Sequence, residues 1–265
     1  MTVAAARQLT NGMVCFVGIG LPSAAANLAR LSHAPEVVLI YESGTIGAKP
    51  DVLPLSIGDG ELSETALSVV SVPEMFRYWL QGGRIDVGFL GAAQIDRFAN
   101  INTTVIGDYA QPKTRLPGAG GAPEIATSAK EIFVMLRMTP RAFVERLDFV
   151  TSLGHGAGGE SRDKSGAQGR GPTRVITDLG ILEPDPVSRE LRLTSLHPGV
   201  GIHQIEAACG WKLARAPELA ETPAPSADEL AALRSFRWSR GRRRRAWGCR
   251  ASCSGCAARG ASRRW

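Results

Sequence analysis

The chain has 265 residues, and its hydrophobic content of 44% is typical of a folded globular protein. No segment approaches the roughly 18 consecutive apolar residues of a membrane-spanning helix, and the N-terminus lacks the features of a signal peptide, so we expect a cytoplasmic protein. The formal charge of +6 does not describe the main body of the chain, because ten of the 31 basic residues lie at 236–265, where no acidic residue occurs. Residues 1–235 contain the other 21 basic residues and all 25 acidic residues, so specific nucleic-acid binding is not expected.

Apolar β-branched runs alternate with longer amphipathic segments through the first hundred residues. This alternation is typical of an α/β fold with an open, mostly parallel sheet flanked by helices. The pattern predicts a loop over 44–60 and helices over 24–31, 73–81 and 227–234, the last of them capped by Ser226 or Asp228. Strands are predicted over 13–17, 37–41, 85–90, 103–106, 131–136, 174–181 and 190–194.

Residues 154–172 contain seven glycines, interspersed charges and almost no apolar side chains. A segment of this composition cannot bury a core of its own, so we predict a mobile loop or connection.

One domain is predicted over 1–235, followed by a tail rich in Arg and Cys over 236–265. The tail has the composition that GC-rich codons yield when they are read out of frame, and we interpret it as a disordered frameshift product. Two functional interpretations compete with this one: a nucleic-acid arm built on Arg242 to Arg245, and a zinc site at Cys249, Cys253 and Cys256. The C-x3-C-x2-C spacing has no usual fourth ligand nearby, so no metal site is expected.

The segment VVLIYESG at 37–44 places Glu42 at the carboxyl end of an apolar strand, before a Ser-Gly turn. Ligands bind at that edge of open α/β sheets, where a carboxylate can act as nucleophile, base or hydrogen-bond acceptor. Alternatively, Glu42 could be an ordinary solvated acid at the end of a strand. A dinucleotide-binding fingerprint is another, because Gly18 and Gly20 precede a helix and Glu42 follows about twenty residues on. Ser23 in place of the third glycine, and Pro22 in the turn, count against the fingerprint.

Two further segments could supply polar contacts to a ligand. LPGAGGAP at 116–123 exposes backbone amides that can stabilise an oxyanion, although a tight turn is the commoner use of such glycines. Amide side chains and an acid are concentrated after the strand predicted at 85–90, in residues 91–96 and 100–102. For these side chains we favour hydrogen bonding within the loop over contact with a ligand. His155, His197 and His203 are interpreted as structural or solvated, with His155 the one that could reach a ligand. No serine-hydrolase elbow, zincin motif or P-loop occurs.

Seven segments, in this order and spacing, closely resemble the two-subunit coenzyme A transferase family. The resemblance extends from the N-terminus to about Arg234 and stops before the tail. The ESG glutamate and the GAGGA loop are its most specific marks. The segments are VGIGLP, YESGTIGAKP, SIGDGE, QGGRIDVGFLGAAQIDRFANINTT, LPGAGGAPEIA, TSLGHGAGG and ITDLGILEP.

The resemblance implies the open α/β sheet of that family and a catalytic role for Glu42. In the family this glutamate attacks the thioester of the CoA donor, and a glutamyl-CoA thioester then forms through a mixed anhydride. The resemblance places the oxyanion and CoA contacts at Gly118, Gly120, Gly121 and Ala122. It places the substrate contacts at Gly18, Gly20, Gln94 and Asn102.

The resemblance also implies partners and substrates. The chain would be a B subunit working with an A subunit as a heterodimer or an α2β2 heterotetramer, on acyl-CoA and carboxylic acid substrates, with no metal or other cofactor. Succinyl-CoA would donate CoA and 3-oxoadipate would accept it, in aromatic-compound breakdown. Two alternatives stay open: a hydrolase of the same fold that acts on an acyl-CoA or a CoA-activated ring, and a non-catalytic dinucleotide-binding or ligand-binding subunit.

Overall fold

A computed structural model describes residues 1–238. The interpretations placed on Arg242 to Arg245 and on the three tail cysteines therefore lie outside the described residues, as does the tail itself apart from 236–238. Within this described part no helix combines the length and the apolar character needed to cross a bilayer.

Short strands and helices alternate along residues 1–238. The helices are α1 Thr2–Ala6, α2 Leu21–Leu31, α3 Gly60–Glu64, α4 Val72–Glu74, α5 Ala122–Ser128, α6 Ser161–Lys164, α7 Ile202–Ala208 and α8 Ala227–Ser235, and a π-helix, Met75–Leu80, continues α4. The strands are β1 Val14–Phe16, β2 Val38–Ile40, β3 Thr45–Ile46, β4 Val52–Leu53, β5 Ser68–Val69, β6 Val87–Leu90, β7 Gln94–Ile95, β8 Ile101–Asn102, β9 Val105–Gly107, β10 Pro112–Arg115, β11 Glu131–Met135, β12 Pro172–Ile176, β13 Gly180–Pro184, β14 Leu191–Leu196, β15 Ala214–Glu221 and β16 Arg237–Trp238.

Ten of the strands form one mixed sheet in the order β15-β14-β13-β12-β11-β6-β1-β2-β3-β5. Its centre, from β2 to β12, is parallel, and so is the β14–β15 pair, whereas the remaining pairs are antiparallel. The prediction of an open, mostly parallel α/β sheet is confirmed. The chain leaves β1 for β2 on one side and returns to β6 on the other, so the carboxyl ends of β1 and β6 form a topological switch point, where ligands bind in such sheets.

Alternate residues of the central strands face two separate cores, as the two-residue period of a strand requires. In β11, Ile132 and Val134 point to the side that carries the π-helix and α5. Phe133 and Met135 point to the side that carries α1 and α2. The sheet is therefore covered by helices on both faces, which explains why its central strands read as continuous apolar runs.

Two predicted elements differ from the structure. The strand predicted over 174–181 is two antiparallel strands, β12 and β13, because Thr177 closes a turn: its hydroxyl oxygen accepts hydrogen bonds from the N–H groups of Leu179 and Gly180. The helix predicted over 73–81 is only three residues of α-helix before the chain changes to the wider π-helix.

The glycine-rich segment was predicted as a mobile loop or connection without a core of its own, and in the structure it is a connection that packs against the rest of the chain. Residues 154–171 pack against the sheet and α5, and both His155 and Arg162 in this region are almost fully buried. These two polar side chains can be buried because they form hydrogen bonds with backbone carbonyl groups. Nε2 of His155, for example, lies 2.8 Å from the carbonyl oxygen of Pro172. The packing of this connection was not anticipated, because the sequence analysis counted apolar side chains and not hydrogen bonds to the main chain.

Candidate active site

Glu42 lies in a tight turn directly after β2. The N–H of Gly44 donates to the carbonyl oxygen of Tyr41 at 3.0 Å, and Gly44 has a φ of 101°, which favours glycine. A side chain at Gly44 would also collide with the carbonyl oxygen of Val70 on the neighbouring segment. The Ser-Gly that follows Glu42 is therefore explained by the turn that aims its carboxylate away from the sheet.

A buried hydrogen bond to α2 holds the start of this turn in place. The hydroxyl of Tyr41 lies 3.1 Å from that of Ser23 in α2, and both residues are fully buried. Burial raises the pKa of the Tyr41 hydroxyl, so this group stays neutral. Tyr41, the residue before Glu42, is thus held in the core against α2.

A cavity of about 430 Å³ opens at the carboxyl ends of β1 and β6, as the switch point predicts. Glu42 lines it and is its single ionisable side chain among the described residues. The remaining wall is mostly apolar or glycine, from the ends of β1 and β6, the loop at Ile57 and residues 116–122. A lone carboxylate in such a wall can attack or accept a proton, but it has no neighbouring acid or base.

The glycine-rich loop before α5 faces Glu42 across this cavity. All four residues predicted there, Gly118, Gly120, Gly121 and Ala122, line it. The N–H of Gly118 donates to Thr103, and that of Ala122 donates to Ala119. No group in residues 1–238 accepts a hydrogen bond from the N–H of Gly120 or Gly121. These two amides are therefore free to bind a ligand oxygen. Of the four residues predicted to contact the oxyanion or CoA, Gly120 and Gly121 are the two that can still donate through their N–H groups.

Gly121 is in close contact with Glu42. A Cβ at this position would lie 2.8 Å from Oε1 of Glu42 and 2.6 Å from Cζ of Phe76. Phe76 belongs to the π-helix and packs edge to face on Phe16, with ring centroids 6.1 Å apart. Glu42, the glycine-rich loop and the π-helix thus meet at one point, and a side chain at Gly121 would require Glu42 or Phe76 to move.

Gly18 lines the cavity, whereas Gly20, Gln94 and Asn102 are not part of its wall. Gly20 is the N-cap of α2, with a φ of 84°. The Nδ2 of Asn102 donates to Oε1 of Gln94 at 2.7 Å, and the Nε2 of Gln94 donates to Asp148 at 2.8 Å. Both amides thus serve the loop hydrogen bonding that the residue pattern favoured, and this chain alone does not bring them to Glu42.

Sequence reasoning gave no role to Phe16, Ile57 or Phe76. Ile57 occurs in a segment that carried the resemblance, but nothing in its pattern indicated a cavity wall. Phe76 is positioned by a π-helix, which has no recognisable sequence signal. The hydroxyl of Ser43, next to Glu42, is buried with no partner among residues 1–238.

His155, His197 and His203, three of the four histidines, are not part of the wall of the Glu42 cavity. Nε2 of His197 contacts the carbonyl oxygen of Thr177 at 2.9 Å, and Nδ1 contacts the Thr222 hydroxyl at 2.7 Å, whereas His203 is exposed. Their interpretation as structural or solvated groups is consistent with these contacts. Residues 1–238 contain no group of three or more His, Cys, Asp or Glu arranged to hold a metal ion.

Comparison with known proteins identifies relatives across most of the chain. The sequence model of the family described as coenzyme A transferase matches residues 1–208. The B subunit of 3-oxoadipate CoA-transferase from Pseudomonas knackmussii is 66% identical over 236 residues, which cover 89% of this chain and 91% of that protein. The B subunit of glutaconate CoA-transferase from Acidaminococcus fermentans is 36% identical, covering 86% and 88%.

The same relationship is visible in three dimensions. The crystal structure of glutaconate coenzyme A-transferase from Acidaminococcus fermentans superimposes with a TM-score of 0.84 at 32% sequence identity. The match covers 89% of this chain and 92% of the crystallised one.

Proposed function

Because the chain belongs to the coenzyme A transferase family, we propose that it is the B subunit of an enzyme that moves CoA from succinyl-CoA to 3-oxoadipate. The observation that carries this proposal is Glu42 on its strand-end turn, opposite the free amides of Gly120 and Gly121. The 66% identity to a protein of that activity supports the choice of substrates over hydrolysis or simple ligand binding. The reaction belongs to the β-ketoadipate pathway of aromatic degradation.

The first half-reaction begins at the carboxylate of Glu42. One of its oxygens attacks the thioester carbon of succinyl-CoA, and the carbonyl oxygen becomes an oxyanion that accepts hydrogen bonds from Gly120 and Gly121. Collapse of this intermediate breaks the carbon–sulfur bond and leaves a mixed anhydride and the CoA thiolate. The thiolate then attacks the carbonyl carbon of Glu42 and displaces succinate, which leaves a glutamyl-CoA thioester.

The second half-reaction repeats these steps in reverse with 3-oxoadipate. Its carboxylate attacks the glutamyl thioester, the thiolate leaves, and the thiolate attacks the acceptor carbonyl of the new anhydride and regenerates Glu42. Each half-reaction starts and ends with a thioester, and the mixed anhydride between them keeps the acyl group activated, so the reaction needs no cofactor beyond its CoA substrate. The absence of a neighbouring acid or base at Glu42 among the described residues suits this route, because no step requires a proton transfer.

The chain acts with a second, different subunit, as its similarity to the B subunits of two transferases implies. We assign the complex to the cytoplasm, as a heterodimer or an α2β2 heterotetramer. The native mass of the co-expressed subunits distinguishes these two stoichiometries.

The test is to trap the glutamyl-CoA thioester. The chain, co-purified with its A subunit, is incubated with succinyl-CoA and then with borohydride, which reduces the thioester to an alcohol, and the modified peptide is mapped by mass spectrometry. Reduction is expected at Glu42 and should be absent in Glu42→Gln. Glu36→Gln is the matched control, because Glu36 is an exposed acid just before the same strand. An unmodified Glu42 in a folded, CoA-binding complex would refute the proposal.

A further inference from the structure

The glycine-rich segment 154–171 holds the C-terminal end of α5 through Arg162. This arginine is 3% exposed, and its guanidinium donates hydrogen bonds to backbone carbonyls from three separate parts of the chain. Nη2 bonds to Ala126 in α5 at 2.7 Å, Nη1 to Gly154 at 2.9 Å and Nε to Gly169 at 2.9 Å. A positive charge at the C-terminal end of a helix is also favoured by the helix dipole.

The backbone of the same segment completes the attachment. The N–H groups of Gln168 and Gly169 both donate to the carbonyl oxygen of Thr127, at 2.8 and 3.3 Å. These carbonyls near the end of α5 have no helical partner, so the segment supplies the donors that a helix end requires. Gly169 packs so closely that a Cβ would collide with the carbonyl oxygen of Ala129.

The other end of α5 is the active site. Gly121 is the N-cap of this seven-residue helix and lies against Glu42, about 10 Å along the helix axis from its C-terminal end. The helix is pressed onto the sheet between its two ends, since a Cβ at Gly88 in β6 would lie 2.6 Å from Cγ2 of Ile125. A helix of seven residues that rests on β6 moves as one rigid unit. Displacement of its C-terminal end therefore shifts its N-cap, Gly121, and the adjacent Gly120.

We propose that Arg162 is a positioning residue for the CoA-transfer reaction: by fixing the C-terminal end of α5 it sets the distance between the amides of Gly120 and Gly121 and the carboxylate of Glu42. The inference rests on the proposed function, which gives those amides their role. It assigns a function to a segment that looks like a connection in the sequence. Displacement of oriented groups by about 1 Å costs on the order of a hundredfold in rate.

The experiment measures single-turnover formation of the glutamyl-CoA thioester in the complex with the A subunit. In Arg162→Lys the charge remains but the set of carbonyl contacts cannot be kept. We expect the thioester to form tenfold to a hundredfold more slowly than in the wild type, on the order expected for misplaced groups. The final amount trapped per folded complex, and the KM for succinyl-CoA, should stay close to wild type. Arg170→Lys is the matched control, because Arg170 lies in the same segment with a side chain that is 72% exposed.

A second variant disturbs the guanidinium without replacing it. In Gly171→Ala the new Cβ would lie 2.9 Å from Cζ of Arg162, so the same slowing is expected even if Arg162→Lys fails to fold. A wild-type rate in either folded variant overturns the proposal. So does a loss confined to the amount trapped, which would mean that Arg162 contributes to stability alone. Failure of the wild-type complex to form the thioester would instead contradict the proposed function itself.

Discussion

Gly121 shows how little space separates Glu42 from the glycine-rich loop that faces it. Its φ of −83° is ordinary for any residue, so the need for glycine comes from its neighbours and not from the backbone. The position of Glu42 could be predicted from the sequence, because an acid at the end of an apolar strand before Ser-Gly is visible there. The contact of Gly121 with Glu42 and Phe76 could not, because it joins three segments that are far apart in the chain.

Substitution Gly121→Ala is expected to reduce kcat by about a hundredfold, since the new methyl group forces Glu42 or Phe76 to move on the scale of 1 Å. Steady-state kinetics with the A subunit measures this effect. Gly60→Ala is the control, because a Cβ there meets only Glu64 Oε1, at 3.9 Å, and activity should be unchanged. A Gly121→Ala enzyme with wild-type kcat would mean that this contact is relaxed in the working complex.

Burial of His155 has a pH-dependent consequence. Burial lowers the pKa of this histidine below its usual value of about 6.5. The unfolded chain therefore binds more protons in weak acid, and the free energy of unfolding decreases as the pH falls below that value. One such group contributes a slope of at most about 1.4 kcal/mol per pH unit.

Denaturant unfolding at about pH 7.5 and about pH 5.5 measures this contribution. In His155→Gln, whose amide can still donate to Pro172, the loss of stability over this interval should be smaller than in the wild type. His203→Gln, at an exposed position, should behave as the wild type does. An identical pH dependence in His155→Gln would show that protonation of this residue is not linked to unfolding.

Among the predicted helices, α8 was predicted most closely, because its start is determined locally. Ser226 Oγ accepts from the N–H of Glu229, whose carboxylate accepts from the N–H of Ser226 at 2.7 Å, and the helix spans Ala227–Ser235 against a prediction of 227–234. The edge strand β15 was missed, because its residues are almost all exposed and follow no alternating pattern. Helix α5 was also missed, since its glycine-rich start resembles a loop. Local sequence signals thus predicted an element whose start is capped by its own residues, and they missed elements that are stabilised by distant parts of the chain.

Removal of the α8 cap should therefore destabilise the fold without affecting catalysis. Ser226→Ala is expected to cost about 1 kcal/mol and to lower the Tm by about 2–4 °C. Ser235→Ala, at the exposed far end of the same helix, should have a smaller effect. Thermal unfolding followed by circular dichroism compares the two, and equal losses would indicate that the cap contributes nothing specific.

At the scale of the whole molecule, the predicted division into a domain at 1–235 and a tail at 236–265 stays a prediction. Residues 237–238 form β16, paired with β4, and Phe236 packs against the core beneath α8. Every residue given a role in catalysis lies before position 209, within the part that the family model matches. The charge balance of the chain, by contrast, is set by the ten arginines beyond position 235.

Deletion of residues 239–265 should leave CoA transfer by the complex close to wild type, because every residue given a role in catalysis lies before position 209. The shortened chain should also elute from heparin at lower salt, because binding to a polyanion depends on the number of cationic contacts. Replacement of Arg242 to Arg245 by serine in the full-length chain is the matched control for charge. Loss of transfer activity in the shortened complex would place a catalytic or assembly role in the tail.

The first and last helices of the domain are joined to each other. Arg7, just after α1, forms an ion pair with Glu229 in α8 at 2.6 Å and also donates to the carbonyl oxygens of Pro223 and Ala224. Segments near the two ends of the described residues 1–238 consequently lie side by side, and a short linker could connect them. A circular permutant with new termini in the exposed turn near Val187 would keep every contact around Glu42, so the order of segments in the gene is not what builds this site.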